Sequence, residues 1–226
     1  RRVLFRSAGF IGSYVNRLLT KNGYRCVVLD DLSHGDPRSV LDSPFFQGDI
    51  SDEALVTKIV KEYDIESVMH FAAHIDVKES VDDPAKYYSN NVCKTLSLLR
   101  TLKNLSVNKF VFSSSAAVYG MPHEERITEA HPLAPINPYG ASKWMVERAL
   151  ADYRAAYGFS SFALRYFNAS GADPEGGIGE DRDFKRNLLC LGSLSISRVV
   201  ICAWQVDDGA GVEHRSIDED QCVYGS

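Results

Sequence analysis

The sequence predicts an α/β fold, a doubly wound parallel sheet of the Rossmann-like kind over residues 1–183, and three observations predict it. Short apolar runs alternate with helical patterns, the order of a parallel sheet joined by crossover helices. Near the amino terminus, AGFIGS places Gly9 and Gly12 three apart where an amphipathic helix begins. The next apolar run, RCVVLD, ends in the acidic Asp30.

The elements follow in order. The helix after Gly9 carries Ile11, Val15, Leu18 and Leu19 on one stripe and ends near Asn22-Gly23. RCVVLD is a strand, and FFQGD closes another short strand at Asp49. Ser51 can cap the helix DEALVTKIVKEY, after which SVMHFAA returns to the sheet. In VDDPAKYYSNNVCKTLSLLRTLKN, Asp83 suits an N-cap and Pro84 the first helical position, and the strand KFVFSSS follows. NPYGASKWMVERALADYRAAYG reads as a long helix and SSFALRYFN as a strand. Residues 184–226 have a different texture, with one β-like run, RVVICAW, and no clear helix.

A chain of 226 residues can bury a sizeable core. With 45% hydrophobic and 24% charged residues, and no run of eighteen apolar positions, it reads as a soluble protein with no secretory leader and no membrane partner. Its net charge of -5, without a basic patch interleaved with aromatics, argues against nucleic acid. The five scattered cysteines form no C-x-x-C pair, and no His cluster has metal-ligand spacing, so reduced thiols in a cytoplasm and no metal are expected. Cys26 and Cys93 equally suit small core fillers.

Two constellations carry chemistry. Glycines at a strand-to-helix turn let the backbone approach a pyrophosphate, while the helix N-terminus offers unpaired N–H groups and partial positive charge. Two glycines three apart are common by themselves. Asp30 strengthens the reading, because a carboxylate at the end of the next strand can accept both hydroxyls of an adenosine ribose and favours NAD over its 2′-phosphate form. Asp30 and Asp31 can also simply open a surface turn. The second constellation is Tyr139-Gly-Ala-Ser-Lys143, whose phenol and ammonium share a helix face. A tyrosine acting as a base near neutral pH needs its anion stabilised by about 4 kcal/mol, which a lysine and a nicotinamide cation can supply. Ser115, at the carboxyl end of KFVFSSS, can place a hydroxyl beside the same substrate oxygen. Y-x-x-x-K arises by chance in many helices, and serine-rich strand ends are commonly turns. Together, and after a glycine turn and an acidic strand end, these features support one another.

AGFIGS, LDDLSHG, GDI, HFAA, YYSNNV, FSSSAAVYG, NPYGASK and RYFNASGADPEGGIGED, in this order and spacing, resemble the extended short-chain dehydrogenase/reductase family and its NAD-dependent epimerases. The resemblance runs from about Ala8 to Asp183. It implies NAD as cofactor, with Gly9, Ile11 and Gly12 along the pyrophosphate, Asp30 and Asp31 at the adenosine ribose, and Asp49 with Ile50 at the adenine. Phe71, Ala72, Ala73, Asn90 and Ser113 would complete the cofactor bed. Tyr139 and Lys143 would hold the nicotinamide ribose, and Tyr166 would pack near the nicotinamide. Ser115, Tyr139 and Lys143 would be catalytic, and Phe167 and Asn168 would face a UDP-sugar together with Ser115 and Tyr139. The closing stretch is most similar to enzymes that interconvert UDP-glucose and UDP-galactose at C4. Dehydratases of the family carry Asp-Glu after the catalytic Ser/Thr, whereas Ala116-Ala117 stand here. Epimerases of a UDP-pentose, UDP-uronate or UDP-N-acetylhexosamine are the alternative within the fold, and an inactive nucleotide-binding fragment is the alternative outside it. The family also implies a homodimer through helices 84 to 103 and 138 to 157.

Two departures qualify the resemblance. Arg6 stands where the family's turn has its first glycine, a position of close approach to phosphate. RRVLFRS is also what the end of a common DNA-sequencing adapter encodes, so residues 1–7 are expected to be a processing artefact. The substrate domain that follows in the family is expected to be largely missing, with residues 184–226 its remnant or misread start. As written, the chain is expected to bind NAD poorly and to turn over little sugar.

Overall fold

The computed structural model describes residues 2–6, 8–40, 43–123, 127–167, 169 and 201–205. Strands β1 (Arg2–Arg6), β2 (Arg25–Asp30), β3 (Phe45–Gln47), β4 (Ser67–His70), β5 (Lys109–Ser115), β6 (Ser160–Tyr166) and β7 (Ile201–Gln205) form one sheet in the order β3-β2-β1-β4-β5-β6-β7. Every pairing among β1–β6 is parallel. β7 runs antiparallel to β6, with Tyr166 opposite Ile201. The expected all-parallel sheet therefore carries an antiparallel edge, a common termination that needs no crossover helix. The chain steps outward from β1 to β3 and returns beside β1 at β4. That reversal makes the carboxyl ends of β1 and β4 the place where an open α/β sheet leaves a ligand crevice.

Helices α1 (Phe10–Lys21), α2 (Glu53–Glu62), α3 (Val77–Asp82), α4 (Pro84–Tyr87), α5 (Lys94–Asn104) and α6 (Pro138–Tyr157) connect the strands. One core joins α2, α5 and α6 to the sheet through Val56, Ile59, Leu98, Leu99, Val146 and Leu150, packed on Leu4, Leu29, Phe110 and Phe112. Across the sheet, α1 sets Ile11, Val15 and Leu19 against Val3, Cys26 and Val28. The sheet is thus wound on both faces. Leu18 does not join this stripe and is 50% exposed, because a step of 100° per residue carries it round the helix from Leu19. Cys26 fills the core as expected, but Cys93 is exposed and fills nothing. β1, between β2 and β4, is built from Arg2–Arg6. Their pattern suffices, since Val3 and Leu4 are buried on opposite faces.

Local chemistry sets the ends of the elements. β3 stops at Gln47 instead of Asp49, and Gly48 turns its N–H to the Asp30 carbonyl. Asp52, not Ser51, caps α2 by accepting the Leu55 N–H at 3.0 Å, while Ser51 donates its N–H and hydroxyl to Asp49. α3 has no counterpart in the sequence reading; Asp76 caps it through the Glu79 N–H. Asp83 and Pro84 open α4 as expected, and a π-helical turn, Tyr88–Cys93, carries it into α5. No helix among the described residues is long and apolar enough to cross a membrane.

Candidate active site

The glycine turn lies at the carboxyl end of β1. Gly9 is the N-cap of α1 with extended backbone, and neither a side-chain cap nor an acidic residue occupies the first turn. That leaves the helix's first N–H groups and its positive end turned toward the sheet edge, an arrangement suited to an anion. Gly12 is buried inside α1 and Ile11 packs toward the core. The side chain of Arg6 lies outside the described residues.

Asp30 ends β2 and is 6% exposed. Its two carboxylate oxygens accept the N–H groups of Ala8 at 2.9 Å and Leu32 at 2.8 Å, so it ties the glycine turn to the next loop. Each oxygen keeps a further lone pair, which lets the same carboxylate receive ribose hydroxyls. Asp31 accepts the Ser33 N–H at 2.9 Å. Asp49 pairs with Lys94 at 2.5 Å. Burial would raise its carboxyl, but Lys94 and the N–H and hydroxyl of Ser51 outweigh that and hold it down at about 2. Ile50 is only 1% exposed within the core, so what it can offer an adenine is its backbone.

Beyond β4, Phe71 is buried against the α1 side of the sheet, and Ala72 and Ala73 are half-buried beside it. Asn90 is buried in the π-helical turn and donates to Asn91. Ser113 contributes through its carbonyl, which accepts from Lys143 Nζ at 2.8 Å. Lys143 is 3% exposed, and its ammonium lies 5.0 Å from the Phe112 ring centroid and 5.8 Å from that of Tyr139. Phenol and ammonium thus share one face of α6 and meet the carboxyl half of β5.

Ser115 closes β5. Its hydroxyl oxygen accepts the Ala117 N–H at 3.2 Å, so its own proton is the one it can donate to a ligand. The first turn of α6 reaches this strand end because residue 140 is glycine. A Cβ there would lie 2.5 Å from the Ala117 carbonyl oxygen. Asn137 caps α6 through the Gly140 N–H at 2.8 Å. One turn beyond Lys143, Glu147 accepts from Ser114 Oγ and pairs with Arg165 at 2.6 Å, and Arg165 also donates to the Tyr119 hydroxyl at 3.0 Å. Sequence reasoning missed Gly140, Glu147 and Arg165. The first was legible only as the glycine inside Y-G-A-S-K; the others gave no signal, because the contact joins α6 to β6 across the sheet.

Tyr166 ends β6 opposite Ser115 in register and is 7% exposed. Burial pushes its phenol well above the usual value, so it stays neutral. Phe167 is 42% exposed, and Asn168 lies outside the described residues. Among the described residues no group of three or more His, Cys, Asp or Glu could hold a metal ion. Two open concavities of about 520 and 510 Å³ lie at the amino edge of the sheet, lined by residues such as Lys61, Asp64 and Lys109 or Arg25 and Glu62. They contain none of the motif residues.

A 3-2-1-4-5-6 parallel order, a helix N-terminus without a side-chain cap after β1, an acid at the end of β2 and a Tyr/Lys pair facing β5 are the features of a Rossmann-type dinucleotide-binding fold. The chain belongs to the NAD dependent epimerase/dehydratase family, whose pattern matches residues 7–187. Its relatives include the UDP-glucose 4-epimerase of Lactobacillus helveticus, 48% identical over 183 residues, which are 80% of this chain and 56% of that one. Among solved structures, UDP-glucose 4-epimerase from Brucella ovis in complex with NAD superposes with a TM-score of 0.79 at 47% identity, covering 81% of this chain and 57% of that one. The UDP-Glc/GlcNAc 4-epimerase of Campylobacter jejuni does so with a TM-score of 0.71 at 42% identity, covering 76% and 55%. The chain spans a little over half the length of these relatives.

Proposed function

We propose that the chain is the cofactor-binding part of an NAD-dependent epimerase that interconverts UDP-glucose and UDP-galactose at C4 of the sugar. One observation carries the proposal: Tyr139 and Lys143 rise from the first turns of α6 against the β5 exit that bears Ser115, at the edge where the α1 N-terminus also opens. The residues present fit NAD. The uncapped N-terminus of α1, with Gly9, Ile11 and Gly12, would hold the pyrophosphate, and Asp30 with Asp31 the adenosine ribose. Asp49 and the Ile50 backbone would border the adenine. Phe71, Ala72, Ala73, Asn90 and Ser113 would line the nicotinamide half, with Tyr166 beside it, and Lys143 with Tyr139 would hold its ribose. When bound, NAD supplies a hydride acceptor at the sugar carbon that also returns the hydride.

The chain's own groups manage the proton. Tyr139, as its phenolate, takes the proton of the sugar 4-hydroxyl and later gives it back, and the Lys143 ammonium steadies the phenolate before the first transfer and after the second. Ser115 donates its hydroxyl proton to the C4 oxygen, holding it while charge gathers there. Ala116 and Ala117 bring no carboxyl group beside Ser115, which favours epimerisation over dehydration. Phe167 and Asn168 would line the sugar. Residues 1–183 would form the cofactor domain and 184–226 the beginning of a substrate domain. A cytoplasmic homodimer is proposed through helices 84 to 103 and 138 to 157; the exposed Trp144 and Met145 on α6 support it.

The test is to express the chain, release and quantify any co-purified NAD, and follow UDP-galactose and UDP-N-acetylgalactosamine by NMR, beside a version extended to the relatives' full length. Bound NAD and formation of UDP-glucose support the reading. If neither version epimerises UDP-galactose, the reading is wrong.

A further inference from the structure

Ser115 sits on a segment that the fold grips from both ends. On its amino side, the Ser113 carbonyl accepts from Lys143 Nζ at 2.8 Å and the Ser114 hydroxyl donates to Glu147 Oε1. Two successive residues of β5 are thus tied to two successive turns of α6. On its carboxyl side, the short turn Ala116–Tyr119 hangs on the Ser115 hydroxyl oxygen through the Ala117 N–H. The last residue of that turn, Tyr119, accepts at its phenol oxygen from Arg165 Nη1 at 3.0 Å, and the guanidinium lies 4.9 Å from the Tyr119 ring centroid. From the side, the Ala117 carbonyl lies against Gly140, the neighbour of Tyr139.

Both grips end on one ion pair. Arg165 Nε and Nη2 donate to the two Glu147 oxygens at 3.1 and 2.6 Å, a two-pronged arrangement that fixes the carboxylate in direction as well as distance. Arg165 stands opposite Ser114 in the β5–β6 register, so the two side chains leave the same face of the sheet and meet Glu147 together. Arg165 is 2% exposed and Glu147 6%. Apolar side chains of like volume often fold as stably as a buried ion pair, so stability alone does not account for this one. We propose that Glu147 and Arg165 are positioning residues for the proton chemistry: through Ser114 and Tyr119 they hold the strand end and the turn so that the Ser115 hydroxyl stays aimed at the oxygen that Tyr139 deprotonates. The inference deepens the epimerase reading above and rests on it. A donor helps a developing charge only where it already points, and a misplacement of about 1 Å can cost on the order of a hundredfold in rate.

The test removes the two tethers and keeps the pair. In Ser114→Ala/Tyr119→Phe two buried hydroxyls are lost while Glu147 and Arg165 still satisfy each other. In this chain the readout is amide exchange by NMR, with the Ala117 N–H reporting the hold of Ser115 and the Val56 and Ile59 N–H groups reporting the fold as a whole. Relative to those core amides, Ala117 should exchange about tenfold faster than in the parent, whereas a merely structural role speeds all three alike. In whichever version of the protein epimerises UDP-galactose, kcat should fall about tenfold with KM within about twofold of the parent. The same two changes in a Ser115→Ala background should cost less than about twofold, because the hydroxyl they aim is already gone. Unchanged relative exchange of Ala117, an unchanged kcat, or a kcat loss undiminished in the Ser115→Ala background overturns the positioning role. Absence of turnover by the parent at either length overturns the epimerase reading, and the positioning role with it.

Discussion

Lys143 is a cation in a place that water does not reach. Lys143 at 3% exposure loses most of its hydration, and the Ser113 carbonyl and the Phe112 ring are among the groups that face its ammonium instead. The Tyr139 ring also lies near it, with its centroid 5.8 Å from the ammonium. Lys143→Met keeps the apolar stem and removes the charge; NAD affinity should fall at least about tenfold, measured by titration, because a charge-assisted hydrogen bond contributes about 1.5–3 kcal/mol. Glu147 and Arg165 are a different kind of buried charge, a satisfied pair. Glu147→Gln leaves the Arg165 guanidinium uncompensated and should cost about 3–5 kcal/mol in urea unfolding, while the double change Glu147→Leu/Arg165→Met should cost far less. Asp49 gives a pH signature. Its carboxyl lies at about 2 in the fold against about 3.9 in an unfolded chain, so its contribution is complete above about pH 4 and is lost as pH falls toward 2. The effect is small because the pair is partly solvated, and Lys94→Met should flatten that acid limb of the urea midpoint.

At the scale of elements, the placement of α6 decides whether the site exists. Asn137, Pro138 and Gly158 fix its ends, and Gly140 lets its first turn touch the strand exit at Ala117. Gly140→Ala puts a methyl 2.5 Å from the Ala117 carbonyl oxygen, closer than the two atoms can approach, so the helix must back away from that strand exit. A stability loss of about 1–3 kcal/mol is expected, together with loss of activity although Tyr139 and Lys143 are intact. Elements were legible where a local rule governs them: Asp83-Pro84 at the start of α4, Gly158 after α6, and the apolar runs of β2, β5 and β6. The places of Asp30 and Ser115 at strand ends, and of Tyr139 and Lys143 one turn apart on α6, were legible because strand ends and helix spacing are sequence properties. What the sequence hid depends on neighbours brought together by folding. Leu18 belongs to a helical pattern but not to the buried side, and Cys93 falls on an exposed side of its helix. The antiparallel sense of β7 and the Glu147–Arg165 pair are contacts between distant segments. Ser51 and Asp52 are equally good caps on paper, and the Asp49 carboxylate settles the choice by engaging Ser51.

For the molecule as a whole, a winding that reverses between β1 and β4 sets the helix N-terminus, the β2 acid and the Tyr/Lys pair along one edge. A ligand that spans that edge should stabilise the whole domain. NAD at a hundred times its dissociation constant should add about 2.7 kcal/mol, seen as a rise in Tm of roughly 5–10 °C that UDP alone does not reproduce. The most direct test of the central claim is to convert UDP-galactose in D2O and examine C4 of the product by proton NMR. The account predicts UDP-glucose that keeps protium at C4, since the hydride leaves and returns within the site, and no product from the Tyr139→Phe variant. Deuterium at C4, or full turnover by Tyr139→Phe, would contradict it.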